Sequence, residues 1–328
     1  MPAPGTPTAR CCADAWKLTL VALTSCELSL AILVTLVWGL NFPITKLGLR
    51  SIDPFVLTAI RFALAALPLV FFIKRPAIRF SYVVAHGLIF GLGMWGVINY
   101  GIQVGVSPGI ASLIIQLSVF FTMGWGALLF EERLRGAQLL GAVLAMIGLV
   151  GIISTQQGDH ALFGVMLIVF SAVAWSIGNV IIKKSAVKEI FSFMVWASLF
   201  PPIPLFLLAW LMHGGAPFEN LQSSLDLTAA LSILFQVYLA THFAYWGWNS
   251  LLKRYPVSTV APLSLLIPVF GIGSSMLILG EHISTPNMIS IVVIIAGLAV
   301  GLYRKTPAPS AALSPTGRRA AEPAGAKK

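Results

Sequence analysis

Arg61 is the one cation set well inside a long apolar run, seven residues beyond Pro54 and about 10 Å deep if each helical residue rises 1.5 Å. Its planar fork fits the two oxygens of a carboxylate. Bonds to backbone carbonyls near the end of its helix, or a reach outward to Asp53, are the structural alternatives. Other polar and aromatic side chains recur at helical spacing. Trp95, Asn99 and Gln103 stand four residues apart, His242, Trp246 and Asn249 fall at i, i+4 and i+7, and Ser112, Gln116 and Phe120 form a third stripe. Trp38 and Asn41 precede Pro43, which removes the amide hydrogen that would bond the Gly39 carbonyl. Trp175 and Asn179 repeat that pattern later in the chain. Facing one interior, such groups replace the water around a small polar solute. Each also has a plainer role, because Asn and Gln bond neighbouring helices and Trp anchors helix ends at a membrane interface.

Catalysis is a poorer use of these residues. Gly105-Val106-Ser107-Pro108-Gly109 matches the nucleophile pattern G-x-S-x-G, yet it sits in a short loop between apolar runs, where Ser-Pro reads as a helix start. The histidines at 86, 160, 213, 242 and 282 lack metal-ligand spacing, no phosphate-cradling loop is present, and nothing implies a cofactor. No Asp or Glu lies mid-run, so a proton relay through a buried carboxylate lacks a carrier; His86 and His242 are the remaining titratable groups, as switches or as neutral hydrogen-bonding rings.

The elements that must position these side chains are ten apolar runs, near 28–45, 55–73, 81–102, 108–130, 136–154, 161–182, 190–212, 228–250, 256–279 and 285–302. Roughly 20 residues cross a bilayer as a helix, and every run meets that length. With 58% hydrophobic and 10% charged residues in 328, the polar side chains are too few to coat a soluble body. The expected fold is an all-α polytopic membrane protein embedded in a lipid bilayer.

A net charge of +10 raises nucleic acid as a partner, and the placement of the charges argues against it. Of the 21 basic residues, 18 fall in alternate loops and at the termini, against Lys46 and Arg50 on the other side and Arg61 inside a span. Cationic loops stay cytoplasmic during insertion, so both termini are expected inside a bacterial-type inner membrane. The loops 155–160 and 213–226, with Asp159, Glu219 and Asp226, then face outward.

Cys11, Cys12 and Cys26 precede the first run and frame no disulfide in reducing cytosol. Leu23-Thr24-Ser25-Cys26 resembles a lipoprotein cleavage box, but its apolar lead is short and cleavage would contradict the charge pattern. Residues 1–27 therefore read as a cytoplasmic extension or an upstream start site, and 304–328 as a flexible cytoplasmic tail.

Between these ends lie two related halves, 28–154 and 161–303. Trp38-Gly39-Leu40-Asn41-Phe42 answers Trp175-Ser176-Ile177-Gly178-Asn179, Lys46 answers Lys183, Trp95 and Asn99 answer Tyr245 and Asn249, and Glu132 answers Glu281. Five spans per unit is an odd number, so the second copy enters the membrane upside down, which gives two inverted five-helix repeats and the means to open a central site to either face alternately. The paired lysines and glutamates sit at span ends and are expected to anchor helix ends and tie loops. Gln116 has Leu266 as its mate, so duplication alone does not explain it. Gly297 and Gly301 suit close helix contact within the chain or across a homodimer.

The runs WGLNFPITK (38–46), AIRF (59–62), PGIASLIIQLSVFFT (108–122), FEERL (130–134), KRYPVSTVAPLSLLIPVFG (253–271) and LGEHI (279–283) resemble the EamA family of the drug/metabolite transporter superfamily, most closely its bacterial exporters of O-acetylserine and cysteine. The resemblance covers about residues 28–303. It implies export of small amino-acid-type metabolites by alternating access. Carriage of other small or amphipathic solutes past an aromatic-rich cavity, and a non-transporting membrane scaffold, are the alternatives.

Overall fold

The computed structural model describes residues 23–155, 159–219, 221–255 and 257–302. The extension up to residue 22 with Cys11 and Cys12, the loop core 156–158 and the tail from 304 lie outside the described residues. Among the described residues, ten helices are long and apolar enough to cross a membrane. They are span 1 (Ser25–Gly48), span 2 (Pro54–Phe71), span 3 (Phe80–Gln103), span 4 (Pro108–Phe130), span 5 (Gly136–Thr155), span 6 (Leu162–Ser185), span 7 (Ile190–His213), span 8 (Leu227–Arg254), span 9 (Ala261–Leu279) and span 10 (Thr285–Leu302).

Span 1 begins three residues before the expected 28 because Thr24 and Glu27 form a capping box, each side chain bonding the other's backbone N–H. The stretch resembling a lipoprotein box is thus a helix start, with Cys26 exposed in the first turn. Span 2 starts at Pro54 behind Asp53, whose carboxylate accepts from the N–H groups of Phe55 and Val56. Ser107, the serine of G-x-S-x-G, caps span 4, and its hydroxyl donates to Glu281 rather than to a histidine.

Helix contacts follow the duplication. Span 1 packs on spans 9 and 8, and span 6 on their mates 4 and 3; span 2 packs on 7, span 4 on 9, and span 5 on 10. Exchanging each span for its mate leaves this pattern unchanged, as two superposable five-helix units require. In lipid, where apolar surface gives no net drive to associate, close van der Waals contact between small residues holds such helices together. Spans 5 and 10 show it. A Cβ on Gly141 would stand 2.4 Å from the Gly297 carbonyl oxygen, and one on Gly148 would meet the Ser290 carbonyl at 2.7 Å. Gly297 and Gly301 are therefore spent inside the chain, against span 5 and Phe120, and do not supply a dimer surface. Leu140, Val143, Ile147 and Val150 on the other side of span 5 are exposed, as lipid-facing side chains.

Pro43 does not break span 1, which stays helical to Gly48. The irregular turns fall elsewhere and come as mates: wide π-type turns in spans 3 (Leu88–Gly96) and 8 (Phe235–Phe243), and tight 3-10 turns in spans 4 (Ile115–Leu117) and 9 (Ala261–Leu265). Such turns re-aim carbonyls and side chains, and they cluster at functional sites.

Candidate functional site

Arg61 is 1% exposed. Its side chain crosses from span 2 to the wide turn of span 8, where Nη1 donates to Gln236 Oε1 at 3.4 Å and Nη2 to Thr241 Oγ1 at 3.2 Å. The Thr241 hydroxyl in turn donates to the Gln236 carbonyl at 2.8 Å, within the wide turn. The guanidinium lies 4.1 Å from the ring centroid of Trp95, close enough for a cation–π contact. Neither structural alternative for Arg61 holds: its partners are side chains, and Asp53 faces His213 Nδ1 at 2.6 Å. Among the described residues no carboxylate lies within ion-pair distance of Arg61. A buried charge without a counter-ion costs several kcal/mol, so its neighbours must supply much of what water supplied.

Other buried polar atoms on the adjoining spans are short of partners. Arg61 Nε, Trp95 Nε1, both amide atoms of Asn41, Thr45 Oγ1 and Asn99 Oδ1 are buried with no hydrogen-bonding partner among the described residues. Asn99 uses only its Nδ2, toward Thr58 Oγ1 at 2.8 Å. Phe42 packs against Trp95 with centroids 6.1 Å apart, which brings the Asn41 turn of span 1 to span 3. Folded proteins satisfy nearly all buried polar atoms, and each exception costs about 1–3 kcal/mol. These atoms lie on spans 1, 2 and 3, and Ser275 Oγ on span 9 is likewise buried without a partner among the described residues.

Aromatic rings pack between the spans. Trp38 meets Tyr245 at 5.4 Å and Trp248 at 5.3 Å, and its Nε1 donates to the Ala240 carbonyl at 3.0 Å. Phe90 lies 6.1 Å from Tyr245 and 6.2 Å from Phe62. His86 stacks on Phe90 at 5.3 Å.

Of the residues expected from sequence, Arg61 and Trp95 touch, Asn99 bonds Thr58 one turn before Arg61, Trp38 packs on Tyr245, and Asn41 is buried on span 1. Gln116 is buried close by on span 4, where its Nε2 donates to the Ser264 carbonyl at 3.2 Å, tying the tight turns of spans 4 and 9 together. Trp175 is half-buried against the core, and Asn179 donates to Thr122 Oγ1 at 3.1 Å. Four others are placed differently. Gln103 ends its helix exposed, and Trp246 is 54% exposed. His242 Nε2 sits 3.0 Å from the Ala65 carbonyl, and Asn249 donates to Tyr245 O on its own helix at 2.7 Å. A uniform 3.6-residue stripe on span 8 ignores the π turn, which shifts the inward face by one residue. Thr241, Tyr245 and Trp248 occupy it instead, with Gln236 above them. The missed signal was Gln236 and Thr241, five residues apart in an apolar span.

A ten-span bundle with a buried polar cluster at the seam of two repeats defines a membrane carrier. The EamA-like transporter family model matches residues 26–154 and 162–303, and the chain belongs to that family. It is 38% identical over 280 residues to a Salmonella typhimurium protein named "Probable amino-acid metabolite efflux pump", covering 84% of this chain and 94% of that one. An Escherichia coli protein of the same name is 36% identical over 280 residues, with the same coverage. A solved crystal structure superposes with a TM-score of 0.57 at 18% identity, over 85% of this chain and 96% of the other, a likeness of fold alone. The protein is a multi-pass membrane transporter of the EamA family, within the drug/metabolite transporter superfamily.

Proposed function

We propose that the protein exports small amino-acid-type metabolites, O-acetylserine and cysteine first among them, by alternating access, with both termini in the cytoplasm. The observation behind this reading is Arg61: a fully buried cation without a carboxylate partner among the described residues, its Nε unbonded, stacked on Trp95 and one helical turn from the Thr58 that Asn99 bonds while its own Oδ1 stays without a partner. An α-carboxylate supplies the missing anion, and the unpaired amide oxygens accept from an ammonium or hydroxyl. The names of the two enterobacterial relatives support the amino-acid class.

A second reading, carriage of other small or amphipathic solutes, draws on the rings of Trp38, Phe42, Phe90, Trp95 and Tyr245 around the same cluster. Counterflow in proteoliposomes separates the two. Exchange of labelled cysteine or O-acetylserine is expected; no exchange of either, with uptake of an uncharged aromatic solute, would select the second reading. Cysteines placed in 213–226 should react with an impermeant thiol reagent from outside, and reaction only from the cytoplasmic side would reverse the orientation.

A further inference from the structure

Two lysine–glutamate pairs lie apart from this cluster, at opposite ends of the bundle, and they are repeat mates. Lys46 closes span 1 and Lys183 span 6; Glu132 follows span 4 and Glu281 span 9. Both glutamates leave their helices the same way, behind a residue in the left-handed region, Glu131 at φ 55° and Gly280 at φ 67°. Each lysine faces the glutamate of the other repeat, so each pair lies across the boundary between the two halves.

The two ends differ. At the cation-rich end Lys183 and Glu132 form a direct ion pair, and Lys183 also lies 4.0 Å from the ring centroid of Phe130. At the cation-poor end the same two residue types hold other partners: Lys46 Nζ donates to the Ile102 carbonyl at 3.0 Å, and Glu281 accepts from Ser107 at 2.6 Å. Lys46, Glu281, His282 and Asn287 line one cavity of about 240 Å³ there. One pair is joined; its mate is held apart across a space.

We infer that these are alternating latches, positioning residues that set which end of the bundle is open: joining Lys46 to Glu281 goes with parting Lys183 from Glu132. Inverted repeats make the logic possible, since exchanging the conformations of the two halves exchanges the states of the two pairs. Both partners of the joined pair are about half exposed, at 49% and 54%, and an exposed ion pair is weak. A weak contact at each end suits a cycle in which neither state may be a trap.

The test follows the protein in lipid nanodiscs without any solute, so it is independent of what the chain carries. With the native cysteines changed to serine, spin labels on Arg133→Cys and Lys184→Cys report the cation-rich end, and labels on Arg50→Cys and Ser284→Cys the cation-poor end. Glu132→Gln should lengthen the first distance and shorten the second, changing the ratio of the two states roughly two- to fivefold. Glu281→Gln should not lengthen the first distance. Exchanging the charges, Glu132→Lys with Lys183→Glu, should return the ratio to that of the parent, and it serves if the single variant folds poorly. Unchanged distances in Glu132→Gln, or an exchanged pair that leaves the ratio displaced, would overturn the inference.

Discussion

The third and eighth spans are repeat mates with the same interruption and different chemistry. Both contain a wide turn, yet span 3 presents Trp95 and Asn99 with polar atoms left unbonded, while the corresponding Tyr245 and Asn249 of span 8 pack on Trp38 and bond their own helix. Span 8 contributes instead through Gln236 and Thr241, which hold the guanidinium that span 2 delivers. Duplication thus preserved the wide turn in both halves, and on the proposed reading the atoms that meet the solute belong mainly to the first half. The second half orients them.

That division predicts unequal effects for equal substitutions. Arg61→Met should lower counterflow about 10- to 100-fold, the range set by roughly 1.5–3 kcal/mol for hydrogen bonds to a charged group, and Arg61→Lys should restore little because a point charge loses the fork and the stack on Trp95. Wild-type kinetics in Arg61→Met would end the comparison at its strongest point. Next, Asn99→Leu should cost about 2- to 10-fold in transport while Asn249→Leu stays within about twofold, because of the two only Asn99 holds a fully buried acceptor without a partner. Equal losses would mean that the second repeat binds solute too. Trp95→Phe should raise the KM for exchange by about twofold or more through loss of its indole N–H, whereas Trp246→Phe should be silent. Last, Gly141→Ala should lower thermal stability by about 1–3 kcal/mol and leave KM unaltered, since spans 5 and 10 brace the bundle away from the site. A change of KM without a change of stability would place those spans in the binding path.

The ten spans were legible because length and apolarity are dictated by the bilayer, and the repeat because motifs of spans 1, 3 and 4 recur in order in spans 6, 8 and 9. Trp38, Asn41, Trp95 and Asn99 were legible for a related reason: their helix stretches keep enough of a regular period for spacing to predict a face. Span 8 does not. Its π turn, along which the Thr241 hydroxyl also reaches the Gln236 carbonyl, leaves no mark in composition or hydropathy, so a uniform helical period does not place His242, Trp246 and Asn249. Arg61 was legible as costly but not as paired, because Gln236 and Thr241 lie some 175 and 180 residues along the chain. Pro43 misled in the opposite sense, since a proline within a helix packed this closely against span 9 leaves the helix unbroken.

The central claim is that the buried guanidinium of Arg61 receives the carboxylate of the exported solute. Counterflow of labelled cysteine against excess unlabelled competitors, in parent and Arg61→Met proteoliposomes, tests it most directly. The account predicts that cysteine and O-acetylserine compete in the parent, that cysteamine, which lacks the carboxylate, does not, and that Arg61→Met abolishes the distinction along with most of the flux. Cysteamine competing as well as cysteine in the parent protein, or full discrimination surviving in Arg61→Met, would contradict it.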